Sequence, residues 1–190
     1  MTVLELLRNR RAVRNYTNEK IERKKIELLL EAATLAPNDR MREPWNFYII
    51  QEEAKLRYEK LAMEFLEERF PTKPSLIKSS LDVVRNTPLI IIVTSDIASN
   101  DADSKDNEYA VCCAIHSMWL QAQELDLGFV WRTRGVGLVH DSRSFDFIGS
   151  PEGKKVIGTL FIGHPSQNAL NQQKEKVRTS FEDKTIWMER

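Results

Sequence analysis

The run Pro88-Leu-Ile-Ile-Ile-Val-Thr94 decides the fold class. Leu89–Val93 is aliphatic at every position, with none of the polar alternation of a half-solvated strand, so both of its faces must be covered. A strand of this kind lies in the middle of a sheet with other layers packed above and below it. At five residues it is also far short of the roughly 18 that a membrane-spanning helix needs. Downstream, Ser95–Asn107 is polar and acidic and reads as an exposed loop. Upstream, Ser75–Arg85 reads as a helix, separated by Pro71 and Pro74 from a longer one, Lys55–Phe70, with Leu56, Leu61, Ala62, Phe65 and Leu66 on one face.

Further out the same alternation of elements continues. Thr2 and Glu5 form a capping box that opens a short amphipathic helix, and this helix is expected to run on into Arg10, Arg11 and Arg14. Ile21–Leu35 has helical apolar spacing and is stopped by Pro37. Trp45–Gln51 reads as a buried strand, and Glu108–Leu125 as the longest helix, apolar nearly all round. Gly128 then permits a turn into a strand, Phe129–Thr133; Asp141–Phe147 is a short helix and Lys155–Gly163 a last strand. The expectation is an α+β fold with one sheet covered by helices.

The chain has 190 residues, 42% of them hydrophobic, which fits one folded domain, 1–190. Lys and Arg total 28 against 28 Asp and Glu, so the bulk charge gives no case for a nucleic-acid or membrane partner. That balance is uneven along the chain. The first 25 residues hold eight Lys and Arg against three Glu, whereas Asp96–Asp126 holds seven acids and one Lys. The start, MTVLELLRNRR, carries Glu5 inside its only apolar stretch, and no signal peptide is expected. Cys112 and Cys113 are adjacent on a helix, where a disulfide between them is strained; reduced, mostly buried thiols and a cytoplasmic location are expected.

No metal site is expected, because His116, His140 and His164 are far apart and lack paired-cysteine or HxxxH spacing. Phosphate-loop, GxSxG and GxGxxG motifs are absent. What remains is cationic. Arg10, Arg11 and Arg14 can converge on one dianion if the helix continues, and another arginine, Arg132, ends a strand in VWRTRG. A solvated helix end and a surface arginine are the plainer readings of the same residues. A third feature, Ala36–Ile50, is a proline-bounded loop leading into a Trp-led strand, able to lay backbone polar groups along a planar heterocycle.

Taken in order, four segments resemble the FMN-dependent nitroreductase family: RRAVR (Arg10–Arg14), APNDRMREPW (Ala36–Trp45), LGFVWRTRG (Leu127–Gly135) and VIGTLFIGHP (Val156–Pro165). The resemblance implies a nitroreductase-like fold with a mainly antiparallel central sheet. It also implies a homodimer with FMN at the subunit interface, and NADH or NADPH as the donor of hydride to nitroaromatic, quinone or similar small-molecule acceptors by a ping-pong mechanism. By motif match the cofactor-binding residues are Arg10, Arg11, Ala12, Arg14, Pro37, Asn38, Asp39, Met41, Trp131, Arg132 and Thr133. Arg10 and Arg132 fall to the phosphate and Arg14 to the pyrimidine end of the flavin. Arg178 is the C-terminal phosphate candidate, with Lys174 and Lys176 as loose alternatives. Residues 164–190 become an extension that packs on the partner, which would cover Phe181, Ile186 and Trp187.

The departures are specific. Ala12 replaces a serine, Met41 and Glu43 replace an Asn and a Gln of the loop, and Cys112 stands where a small residue is usual. An acidic Glu43 beside the flavin would lower its potential unless it points away or pairs with Arg40 or Arg42. Two rival readings follow from the same scaffold: another flavin chemistry, or a dimeric binding or regulatory protein impaired in cofactor binding.

Overall fold

The structure, a computed structural model, describes residues 2–171 and 177–188. In chain order the elements are α1 (Val3–Asn9), α2 (Arg23–Thr34), β1 (Trp45–Ile50), α3 (Glu52–Arg69), α4 (Pro74–Arg85), β2 (Leu89–Asp96), α5 (Asp101–Glu124), β3 (Gly128–Arg132), α6 (Ser142–Phe147), β4 (Lys154–Gly163) and α7 (Gln167–Asn171). Among the described residues, four strands form one antiparallel sheet in the order β1-β2-β4-β3. The fold is α+β and nitroreductase-like, as expected, with the aliphatic run Leu89–Val93 fully buried in an inner strand.

Alternate residues of β2 feed two separate cores. Leu89, Ile91 and Val93 join Leu160, Ile162 and Phe129 beneath α2 and α5. Ile90 and Ile92 join Ile50, Val130 and Phe161 beneath α3 and α4. This two-sided cover explains the missing polar alternation. β3 is left as an edge strand, and the chain that follows α1 uses that edge.

Three sequence expectations are corrected. The first helix does not continue through the arginines: it ends at Asn9, and Arg10 leaves with extended backbone angles, so Arg10 and Arg14 share no helix face. The segment instead bonds to the sheet edge, where Val13 N–H donates to Phe129 O at 3.1 Å and Thr17 N–H to His164 O at 2.8 Å. Gly128 permits the approach, since a Cβ there would stand 2.6 Å from Val13 Cγ1. Second, the acidic loop is largely helix, because α5 starts at Asp101 with the Asn100 side chain accepting from Asp103 N–H. Third, the cysteines are not mostly buried: both are free, with Cys113 exposed and Cys112 half-buried.

Candidate functional site at the β3 edge

The segment after α1 crosses the sheet edge from one face to the other and distributes the arginines between them. On the α5 side, the Arg10 guanidinium stacks 4.1 Å from the centroid of the Trp119 ring. Trp119 in turn stacks on Phe129 at 5.1 Å and donates from its indole to Arg11 O at 3.3 Å, which pins the segment. Arg11 Nη1 donates to Arg8 O at 2.7 Å, closing the carbonyl end of α1. Arg10 is held below the ordinary arginine range by burial, and then by the nearby charges of Arg178 and Arg11. Three cationic residues thus gather at this end.

On the opposite face, Ala12 and Val13 pack against the second core. Tyr16 is buried, with its hydroxyl 2.6 Å from Val13 O and 2.7 Å from Phe161 O, its single proton shared between them. Burial raises its pKa well above the ordinary tyrosine value. The Arg132 guanidinium lies 4.9 Å from the Phe161 ring centroid. Burial lowers its pKa, and the neighbouring charge of Arg14 works in the same direction. Thr133 is exposed just beyond.

Among the described residues, two donors here are buried without an acceptor: Arg132 Nε and Trp131 Nε1. They belong to adjacent residues that point to opposite faces of the edge strand. Desolvating a donor and leaving it unmade costs about 1–3 kcal/mol, so Arg132 Nε favours a ligand that brings an acceptor, while Trp131 Nε1 is turned inward against Gly158 of β4. With Arg10, Arg14 and Arg178 at the same edge, the donor set fits a phosphate-bearing, planar cofactor such as FMN. A phosphate reached by both Arg10 and Arg132 has to lie at the strand edge, where the two faces meet. Gly158 keeps Trp131 in place, since a Cβ on it would fall 2.0 Å from Trp131 Nε1.

The loop residues gather elsewhere. Asn38 Oδ1 accepts from Glu43 N–H at 2.9 Å, and Asp39 pairs with Arg42 at 2.9 Å. Arg42 also reaches Asp103 at 2.9 Å and Asn107 at 3.3 Å, which fastens the loop to the start of α5. Arg40, Met41 and Glu43 have φ values of 53°, 53° and 47°, left-handed angles that side chains other than glycine rarely adopt, with Arg42 right-handed between them. Pro37 and Met41 are exposed, Met41 at 76%. Arg42 spends its charge on the aspartates, and Arg40 leans on Asp39 at 3.5 Å, so among the described residues neither pairs with Glu43.

From Asn107, beside the loop, to Trp119, beneath Arg10, α5 rises about 18 Å at ~1.5 Å per residue. Within one chain the loop and the arginines are therefore held apart. Lys174 and Lys176 lie outside the described residues. Sequence reading missed Trp119, Tyr16 and Phe161, the groups that seat the arginines, because none carries a polar spacing cue.

The sequence profile of the Nitroreductase family matches residues 7–164. YdjA of Escherichia coli K12, provisionally named an NAD(P)H nitroreductase, is 28% identical over 174 residues, covering 89% of this chain and 91% of that protein. The crystal structure of a nitroreductase-like family protein from Bacillus cereus is 26% identical, with a TM-score of 0.85 over 100% of this chain and 97% of the other. A nitroreductase with bound FMN from Bacteroides fragilis, 21% identical, shares the fold at a TM-score of 0.71 over 100% of both chains. Matched over most of its length by one family, the chain belongs to the nitroreductases.

Proposed function

We propose that the protein is an FMN-dependent oxidoreductase that works as a homodimer, with each site built from two copies. One observation carries this reading: the arginine end and the loop end of the site stand about 18 Å apart along α5. A two-fold axis crossing α5 midway would bring the loop of one copy to the arginines of the other, as an isologous interface requires. The stripe between them is open to such a contact, with Tyr109 64% exposed and Cys113 and His116 exposed below it. The tail from 164 onward would pack on the second copy and cover Phe181, Ile186 and Trp187, which are 69%, 84% and 76% exposed in the single chain.

Bound FMN would supply the redox chemistry between NADH or NADPH and a nitroaromatic, quinone or similar acceptor, in a ping-pong cycle. The residues of this chain bind and orient. Arg10 and Arg132 meet the phosphate from the two faces of the edge strand, with Arg11 and Arg178 adding charge beside Arg10. Trp119 and Tyr16 hold those arginines by stacking and by bonding the backbone between them. Ala12 and Arg14 would line the flavin, with Arg14 supplying a cation for the pyrimidine end, where reduction would leave negative charge. Trp131 and Thr133 flank the phosphate, while Pro37, Asn38, Asp39 and Met41 of the second copy approach the ring edge.

The test is steady-state oxidation of NADH and NADPH by FMN-loaded protein with a nitroaromatic or quinone acceptor. Parallel double-reciprocal lines are expected. A flavin-loaded protein that oxidises neither nucleotide would refute the reading.

A further inference from the structure

A cleft opens on the α3 side, immediately beyond the end of β3. It encloses about 400 Å³ and is lined by Phe65, Leu138 and Val139 on its apolar wall and by Arg69, Arg134 and His140 on its polar one. Thr133, Gly135 and Asp141 complete it, so it shares Thr133 with the proposed cofactor run Trp131–Thr133.

The charge in this cleft is not balanced from within. Asp141, its one acid, is held by Arg143 through contacts of 2.7 and 2.9 Å and also caps α6, accepting from Arg143 N–H at 3.0 Å. Arg143 takes Glu68 as well, at 2.9 Å. Both nearby carboxylates are thereby committed to one arginine. Arg69 and Arg134 have no carboxylate within 4.0 Å among the described residues. Two guanidinium groups and an imidazole, set against an aromatic and aliphatic wall, match a phosphate monoester carried on a nucleoside: the forks take the dianion and the wall takes the sugar and base.

We propose that this cleft holds the 2′-phosphate of NADPH and so sets the choice of donor toward NADPH over NADH. The inference rests on the oxidoreductase reading, because it names the substrate that reading leaves open. The two nucleotides differ by that one dianion, which is the group two unpaired arginines can discriminate.

The experiment compares binding of 2′,5′-ADP and 5′-AMP to FMN-loaded protein by calorimetry, in the native chain and in an Arg69→Gln/Arg134→Gln double variant. KM for NADPH and for NADH is measured alongside. The native protein is expected to bind 2′,5′-ADP about tenfold or more tightly than 5′-AMP, as a charge-assisted contact to one extra phosphate gives. The double variant should lose that preference and raise KM for NADPH, with FMN content, KM for NADH and kcat unchanged. Equal binding of the two probes by the native protein overturns the proposal. A preference that survives the double substitution also overturns it, and so does loss of FMN from the variant, which would assign these arginines to the flavin phosphate. Selective binding of 2′,5′-ADP at these arginines by a protein that takes up no FMN would sink the oxidoreductase reading and leave the phosphate site standing.

Discussion

Replacing Arg132 with methionine should move stability and cofactor affinity in opposite directions. In the flavin-free protein Arg132 is a liability: its Nε is buried without an acceptor, burial works against its charge, and Arg14 repels it. Removing an unmade buried donor recovers about 1–3 kcal/mol. Methionine keeps most of the length and loses the stacking of the cation on Phe161, worth roughly 0.5–1 kcal/mol. The net gain is about 1 kcal/mol, which for a chain of this size raises Tm by roughly 2–4 °C. If Arg132 holds the FMN phosphate as proposed, the same change deletes a charge-assisted contact worth about 1.5–3 kcal/mol, so FMN should bind about 10- to 150-fold more weakly. Thermal unfolding of flavin-free protein and an FMN fluorescence titration read the two effects separately. A Tm lowered by several degrees with FMN affinity intact would show that Arg132 serves the fold and not the cofactor.

Three further outcomes follow from the geometry. Gly158→Ala should displace Trp131, because the new Cβ would fall 2.0 Å from its indole nitrogen, and cost about 1–3 kcal/mol by chemical denaturation along with weaker FMN binding; unchanged stability would mean that the indole moves freely. Tyr16 and Tyr58 are both buried with pKa values raised by burial above the ordinary 10.0, so the folded state keeps protons that the unfolded chain releases. Their contribution is whole below about pH 10 and is lost as pH rises above it; the Tyr16→Phe/Tyr58→Phe double variant should flatten that alkaline decline, and an identical pH profile would contradict it. If α5 pairs with its copy near Cys113, six residues from both Asn107 and Trp119, helix axes roughly 8–10 Å apart place the two thiols within reach of a short bismaleimide. A covalent dimer is expected on denaturing gels and should vanish in Cys113→Ser. Its absence in a protein that still sediments as a dimer would move the axis away from α5.

Much of this architecture is written in apolar patterning, and what patterning does not record is what the sequence hides. Leu89–Val93 announces an inner strand because two layers cover it. The first two turns of α5 announce nothing, because Asp101–Asp106 project mostly to solvent and show no apolar period; their only cue is Asn100 with Asp103, a side-chain cap and an acidic first turn. Asn107 is buried for a polar reason, donating to Asp96 O at 3.1 Å and receiving Arg42, so a hydrophobic count passes over it. At the site, arginines four residues apart look like one helix face, yet they are divided by an edge strand that the sequence places over a hundred residues later. The partners that seat them, Trp119 and Phe161, are ordinary core residues until the fold brings them under a cation.

If two copies of the chain complete each flavin site, flavin and dimer travel together. Sedimentation velocity at micromolar protein, monitored at the visible absorbance of flavin after incubation with FMN and removal of the excess, tests it in one run. A single flavin-coloured boundary at the mass of a dimer is expected, with one FMN per chain. A flavin-coloured boundary at the mass of a monomer, or a protein boundary with no flavin absorbance, would rule out a shared site.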